Sequence, residues 1–254
     1  MKSSAEPKQN KSISQDIQEI KNNAITSYNM RANSQAYHES IFATLETNTS
    51  ITDLSILRLV DLEQKGLIGL AKVLKTNKSI TKITLRDFGA FEGEALAGIA
   101  EALKDNTTIT TFILELCEII SSDAHAFAEM LKTNKSIATL RLATLEIDHD
   151  EAIVILKGLK NNTTIKTLDL CGSNFGKGAQ SAVAMIEMLE ATTTLTSLNL
   201  SSNNIDVEEA IAIVEVLKTN KSISLTSLNL SGNNIGVGGV KAIAEMLKIT
   251  TSLT

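Results

Sequence analysis

Hydrophobic residues recur along the chain in one short phrase, which is apolar at its first, fourth and sixth positions. The phrase opens at eight points, 28 to 30 residues apart: Ile51, Ile80, Ile109, Ile137, Ile165, Leu195, Leu225 and Leu253. A fixed period of this length is typical of a solenoid of stacked repeats. Since side chains alternate between the two faces of a strand, the fourth and sixth positions predict a short strand in each copy. In the first copy, LSILRL also allows a register shifted by three residues.

The residues between two phrases have helical spacing. After the phrase at Leu195, apolar side chains recur at Ala210, Ile213, Val214 and Leu217, which lie on one face of a helix. Each repeat is therefore predicted to hold one strand and one helix. Parallel strands stack about 4.8 Å apart and packed helices need about 8 to 10 Å, so the array must bend toward its strands. The prediction is an α/β solenoid with a parallel β-sheet on the concave face and α-helices on the convex face.

Most repeats are joined by a turn that reads Asn-Xaa-Ser or Asn-Xaa-Thr. The turns begin at Asn48, Asn77, Asn106, Asn134, Asn162 and Asn220. Each is formally an acceptor for N-glycosylation. Asn, Ser and Thr are also the residues that hydrogen-bond to nearby backbone in turns, and the first residues lack the apolar core of a secretory signal. We therefore predict that these asparagines have a structural role.

The last complete copies carry a recognisable motif. LTSLNLSSNNI from 195 to 205 and LTSLNLSGNNIGVGG from 225 to 239 resemble the ribonuclease-inhibitor class of leucine-rich repeats, and the resemblance extends over about residues 34 to 254. It implies a right-handed horseshoe arc. The family motif has Asn or Cys at the ninth position, here Asn203, Asn233 and Cys117. Other copies depart from it, and we expect their loops to deviate; their ninth residues are Leu59, Phe88, Leu145 and Ser173.

The chain divides into three parts on this reading. Residues 1–12 are expected to be flexible, residues 13–47 to form a degenerate repeat and N-terminal cap, and residues 48–254 to form about seven repeats of 28 to 30 residues with a truncated eighth. The last repeat then has no cap. Its apolar edge indicates either a fragment of a longer array or a homodimer formed through that end.

Composition narrows the classes of partner and compartment. A formal net charge of -5 and a pI near 5.4 give no general attraction to nucleic acid or to an anionic membrane. No apolar run approaches the roughly 18 residues of a membrane helix. Cys117 and Cys171 lie two repeats apart, about 10 Å by strand spacing, which is too far for a disulfide. We expect a soluble protein in a reducing, cytoplasmic compartment.

Residues with catalytic chemistry are scattered. His38, His125 and His149 fall in different repeats, without the spacing of a metal site or of a Ser-His-Asp arrangement. The glycines from Gly236 to Gly239 belong to a strand-to-helix turn and lack the flanks of a dinucleotide-binding loop. No catalytic residue, cofactor or metal is expected.

The third, fifth and seventh positions of each strand should point out from the concave face. The two C-terminal copies place only Ser and Asn there, whereas earlier copies mix charged and apolar residues, as protein-binding surfaces do. The candidate partner-binding residues, with neighbours at the eighth position, are Leu57, Arg58, Arg86, Asp87, Ile113, Glu115, Leu116, Arg141 and Asp169. An alternative is that these side chains simply pair with one another across strands. If they bind a partner, Arg86→Glu or Arg141→Glu should weaken binding with little change in melting temperature.

The favoured function is a non-catalytic scaffold that binds a partner protein. Two alternatives come from resemblance. Similar repeats activate GTPases, as in the Ran GTPase activators, although those have a longer array and an acidic tail. The near-identical phrases LKTNKSI and NLSGNNIG also look like the leucine-rich-repeat effectors that intracellular bacteria deliver into a host cytoplasm, which would make the partner a host protein.

Overall fold

The computed structural model describes residues 13–31, 35–57, 62, 64–89, 95–176, 178–220 and 222–249. Within them, helices and strands alternate along the chain. The strands are β1 Ser27–Arg31, β2 Asp53–Leu57, β3 Lys82–Gly89, β4 Thr111–Cys117, β5 Thr139–Ala143, β6 Thr167–Asp169, β7 Ser197–Asn199 and β8 Ser227–Asn229. The helices are α1 Ile13–Lys21, α2 Gln35–Leu45, α3 Gln64–Thr76, α4 Ala95–Lys104, α5 Ser121–Thr133, α6 His149–Leu159, α7 Ala179–Ala191, α8 Val207–Thr219 and α9 Gly236–Ile249.

The strands form one parallel sheet in sequence order, from β1 to β8. The third position of each phrase lies beside the third position of the next, as in Asp53 beside Lys82 and Lys82 beside Thr111. The first copy thus keeps the unshifted register. Sequential pairing of parallel strands joined through helices is the geometry of a solenoid, and it confirms the predicted fold class.

The core lies between the sheet and the layer of helices. Leu54 and Ile56, at the fourth and sixth positions of the first phrase, are buried, while their neighbours in β2 are half-buried. Ala210, Ile213 and Leu217 are buried on the inner side of α8. The strand period of two residues and the helix period of 3.6 residues in the sequence therefore identify the faces of the strands and helices that pack against each other.

A ladder of asparagines holds the helix-to-strand turns together. Asn134 is 2% exposed, and its side-chain amide donates to the carbonyl of Leu103 at 2.7 Å. Its Oδ1 accepts from the backbone N–H groups of Ser136 and Ile137, both at 2.9 Å. The same pattern recurs in the other turns that begin with asparagine: Asn48, Asn77, Asn106, Asn162 and Asn220. The predicted structural role is confirmed, because these side chains bond to buried backbone.

A second set of polar side chains serves the strand-to-helix edge. The Asn203 amide donates to the carbonyl of Leu170 at 2.8 Å, and Asn203 Oδ1 accepts from the N–H of Phe175 at 2.9 Å. Ser173 acts in the same way, since its Oγ accepts from the N–H of Leu145 at 2.9 Å. The expectation that the loop at Ser173 would deviate was therefore wrong, because a hydroxyl can replace the amide.

The expected deviation does occur at Phe88. There β3 runs on to Gly89, and its register with β4 shifts between Arg86 and Gly89. Leu59, the ninth residue of the first copy, lies outside the described residues.

The chain leaves the sheet through a residue in the left-handed backbone region. This residue occupies the eighth position of six consecutive copies, and the φ angles are 59° for Asp87, 55° for Leu116, 51° for Thr144, 68° for Gly172, 55° for Ser202 and 69° for Gly232. Glycine adopts this conformation freely, whereas a residue with a Cβ carries a cost of about 1 to 2 kcal/mol. The repeat thus imposes one turn geometry whatever residue stands there.

The N-terminal elements extend the sheet by one strand. β1 pairs with β2, and Tyr28 and Met30 point inward. The Tyr28 hydroxyl lies 2.5 Å from that of Tyr37, which donates to Asp16 Oδ2 at 2.7 Å. Burial raises the pKa of Tyr37 to about 12, so the hydroxyl remains a donor at physiological pH.

Candidate interaction surface

The outward positions of β2 to β6 form a surface of half-buried side chains. Leu57, Ile113, Glu115, Arg141 and Asp169 are half-buried on it. Three further candidates lie toward its edge: Arg86 is exposed and is the last residue of β3 before the register shift, while Asp87 and Leu116 have left-handed backbone. Arg58 lies outside the described residues.

The structure joins four of the predicted residues in a chain of opposite charges across four strands. Arg141 Nε lies 2.5 Å from Glu115 Oε1, and Arg141 Nη1 bonds to Asp169 Oδ2. Arg86 Nε lies 3.8 Å from Glu115 Oε2. The charges therefore alternate along the direction in which the strands stack, and each carboxylate lies beside an arginine.

Arg141 is the most tightly held residue in this series of ion pairs. Burial alone would lower the pKa of its guanidinium, but Asp169 and Glu115 outweigh that effect and raise it above the ordinary value. Burial and Asp169 also raise the pKa of the Cys171 thiol, which stays protonated at neutral pH. Arg141 thus has partners on both sides before any other molecule arrives.

Two further contacts on this surface were missed by the sequence reasoning. Lys82 Nζ lies 2.8 Å from Asp53 Oδ2, which makes a second ion pair, at the third position. The Asn199 amide donates to Asp169 Oδ1 at 2.9 Å, so the charged chain ends on a residue that we had assigned to the uncharged C-terminal half. The sequence could have indicated the bond between Asn199 and Asp169, because Arg141, Asp169 and Asn199 occupy the same position of three successive phrases.

Charge reversal at Arg141 should destabilise the fold. In Arg141→Glu the new carboxylate would face those of Glu115 and Asp169, and we expect the free energy of unfolding to fall by about 2 kcal/mol, between the values for exposed and buried pairs. This corrects the expectation of an unchanged melting temperature. Urea denaturation checks it, with Arg141→Gln as a milder control; equal stability of Arg141→Glu and the wild type would contradict the pairing.

A shallow cleft of about 470 Å³ opens at the N-terminal ends of α6 and α7. It is lined in part by His149, whose Nδ1 lies 3.0 Å from Ser181 Oγ. Ser181 is fully buried, so a substrate has no access to its hydroxyl. The histidine and serine therefore do not form a nucleophilic site.

The described part of the chain holds neither a metal-binding group of side chains nor a helix that could span a membrane. No group of three or more His, Cys, Asp and Glu residues there could hold a metal ion. No helix among those residues is both long and apolar enough to span a membrane.

Comparison with known proteins identifies the repeat. The family model described as a leucine-rich repeat matches residues 192–214 and 221–244, which contain the seventh and eighth strands. No curated protein matches the chain.

Solved structures extend the likeness over most of the array. The leucine-rich-repeat-containing protein LegL7 from Legionella pneumophila matches with a TM-score of 0.55 and 21% identity, over 92% of this chain and 75% of that one. The actin-binding site 2 of leiomodin-1 matches with 0.51 and 22%, over 64% and 89%. TLR13 in its complex with ssRNA13 matches with 0.50 and 13%, over 87% and 32%. The repeat period, the parallel sheet and these matches show that the chain has the fold of a leucine-rich-repeat solenoid, with the family model itself matching two of the repeats.

Proposed function

We propose that the chain is a non-catalytic scaffold that binds a partner protein on the concave surface of β2 to β6. The observation that carries the proposal is the contrast along the sheet. Charged and apolar side chains occupy the outward positions of β2 to β6, whereas β7 and β8 present only serine and asparagine. Mixed charge around apolar anchors is the composition of protein-binding surfaces. The leiomodin-1 structure, named as an actin-binding site, is compatible with this function at the level of the fold.

A charge reversal at Arg86 tests the proposal. Arg86→Glu should weaken partner binding by at least about thirtyfold, the effect of a central interface residue, with a nearly unchanged melting temperature, because this side chain is exposed and its ion pair is long. The measurement is quantitative affinity capture of partner proteins by wild-type and variant chains.

The matched control is Asn229→Glu, which places the same carboxylate on exposed β8. Asn199→Glu would be a poor control because Asn199 is bonded to Asp169. Equal loss of the captured proteins by Arg86→Glu and Asn229→Glu would contradict the assignment to β2 to β6.

Within the leucine-rich repeats, we infer the ribonuclease-inhibitor-like class. Its support is the regular alternation of each strand with an α-helix, together with the asparagines at Asn203 and Asn233 that bond to the strand ends. A role as a bacterial effector rests on the repeated sequence phrases, and GTPase activation rests on resemblance in fold. A GTP-hydrolysis assay with small GTPases distinguishes GTPase activation from simple binding.

The C-terminal end supports a further proposal, self-association through α9. Val240 is 55% exposed, whereas Ala210, at the same place in α8, is 0% exposed because α9 covers it. Leu247 and Leu217 differ in the same way. The end of the described array thus presents a face that is buried between repeats elsewhere, and a second copy would cover it.

Val240→Glu should therefore convert a dimer into a monomer. The control is Ile68→Glu, which replaces a side chain 63% exposed on α3 of the convex face and should leave the dimer intact. Sedimentation velocity over a range of concentrations checks both. A wild-type chain that sediments as a monomer throughout would refute self-association.

A further inference from the structure

The two arginines of the concave surface differ in what they can still bind. Arg141 is 38% exposed and has carboxylates on both sides. The Arg86 side chain is 51% exposed, and its ion pair with Glu115 runs from Nε over 3.8 Å. Among the described residues, nothing bonds to its two Nη atoms. Arg86 therefore retains the planar pair of donors that recognises a carboxylate through two hydrogen bonds.

The neighbours of Arg86 set the direction from which a partner can approach. Glu115 lies opposite Arg86 on β4, and Leu57 lies opposite it on β2. On the β4 side the guanidinium already faces a carboxylate through Nε, which leaves its Nη atoms as the donors for a second one. Leu57 is half-buried there and gives that side an apolar floor.

Leu116 adds a second unusual feature next to this position. It follows Glu115 on β4, it is 44% exposed, and its φ angle is 55°. Glycine occupies the equivalent position at Gly172 and Gly232. Leucine at this turn has two energetic costs, because its backbone is strained and its apolar side chain is exposed to water. Glycine, which the repeat accepts at this position, would have neither cost. A contact outside the chain would account for both costs.

We propose that Arg86 and Leu116 form a two-point anchor for an acidic segment of the partner protein. An Asp or Glu of that segment pairs with the Nη atoms of Arg86, and an apolar residue beside it packs on Leu116. A single carboxylate fits better than a phosphate, because Glu115 lies next to the site and would repel a doubly charged group. This inference rests on the proposed binding function and identifies the chemistry of the partner.

A display library of random short peptides, selected on the immobilised full chain, tests the anchor. We expect enriched peptides to share an Asp or Glu beside an apolar residue. Synthetic copies should lose affinity about ten- to hundredfold when that acidic residue becomes Asn or Gln, and by a similar factor when the chain carries Arg86→Gln. Arg86→Lys should recover only part of the affinity, because lysine lacks the two-pronged geometry.

Leu116→Gly supplies a readout that a purely structural role would not give. It should weaken peptide binding and at the same time raise the melting temperature, since it removes the strain. Asn229→Ala on β8 should change neither. The anchor is overturned if no acidic peptide is enriched, or if the peptides bind Arg86→Gln as well as the wild type.

The outcomes separate this inference from the proposed function. Peptides without a shared acidic residue that lose binding on Ile113→Glu would overturn the anchor and leave the concave-face function standing. Peptides whose affinity is unchanged by both Arg86→Gln and Ile113→Glu would contradict both the anchor and the proposed function.

Discussion

Replacing Asn134 with alanine is expected to lower the free energy of unfolding by about 3 kcal/mol, because the backbone N–H groups of Ser136 and Ile137 would lose their acceptor inside the protein. The Leu103 carbonyl would keep a bond from the N–H of Asn106, so the two N–H groups dominate the loss. Such a loss is a large share of the usual stability of about 5 to 15 kcal/mol. Urea denaturation followed by circular dichroism measures it.

Three variants control for the position of the side chain. Lys135→Ala alters the exposed neighbour and should leave stability unchanged. Asn220→Ala should cost less than Asn134→Ala, since Asn220 is half-exposed. Thr192→Asn should stabilise the chain by about 1 kcal/mol, because Thr192 occupies the one described turn of this series without the asparagine. Equal stabilities of Asn134→Ala and Lys135→Ala would refute the ladder.

Adding a methyl group at Gly158 is the second large perturbation. Gly158 lies in α6 against α5, and a Cβ at this position would lie 2.5 Å from the Cα and 2.8 Å from the carbonyl oxygen of Ala128. Carbon atoms in contact are normally about 3.5 to 4.0 Å apart, so the two helices must separate by about 1 Å. We expect Gly158→Ala to lower the free energy of unfolding by about 2 to 3 kcal/mol.

Gly98 in α4 offers the matched control, with the opposite sign. A Cβ at Gly98 would meet nothing within 4 Å, so Gly98→Ala should raise the free energy of unfolding by about 0.5 to 1 kcal/mol through helix propensity alone. Thermal or urea unfolding of the two variants side by side is the measurement. A Gly158→Ala chain as stable as the wild type would show that α5 and α6 are less closely packed than described.

The sequence predicted best what the repeat itself dictates. The strand register follows from phrases such as LTSLNL, because a slip by one residue would turn the leucines at the fourth and sixth positions outward. The role of Asn134 and its equivalents also followed from sequence, since a polar residue at a fixed place in each turn indicates backbone that needs a partner.

What the sequence could not reveal depends on distances between side chains of different strands. Arg141 was expected to meet a partner molecule, yet it bonds to Glu115 and Asp169 within the chain. β1 was hidden because its inward positions hold Tyr28 and Met30 in place of the usual leucine or isoleucine. Tyr28 is tolerated there because its hydroxyl contacts Tyr37, a contact that joins a strand to the following helix.

In the proposed function, a partner protein binds the concave surface of β2 to β6, and β7 and β8 support that surface. The most direct measurement is photo-cross-linking with a photoreactive amino acid placed in turn at Thr84 on β3 and at Ser227 on β8. Both are third- or fifth-position residues of the concave face. We expect an adduct with the partner protein from Thr84 and none from Ser227. An adduct from Ser227 without one from Thr84 would contradict it.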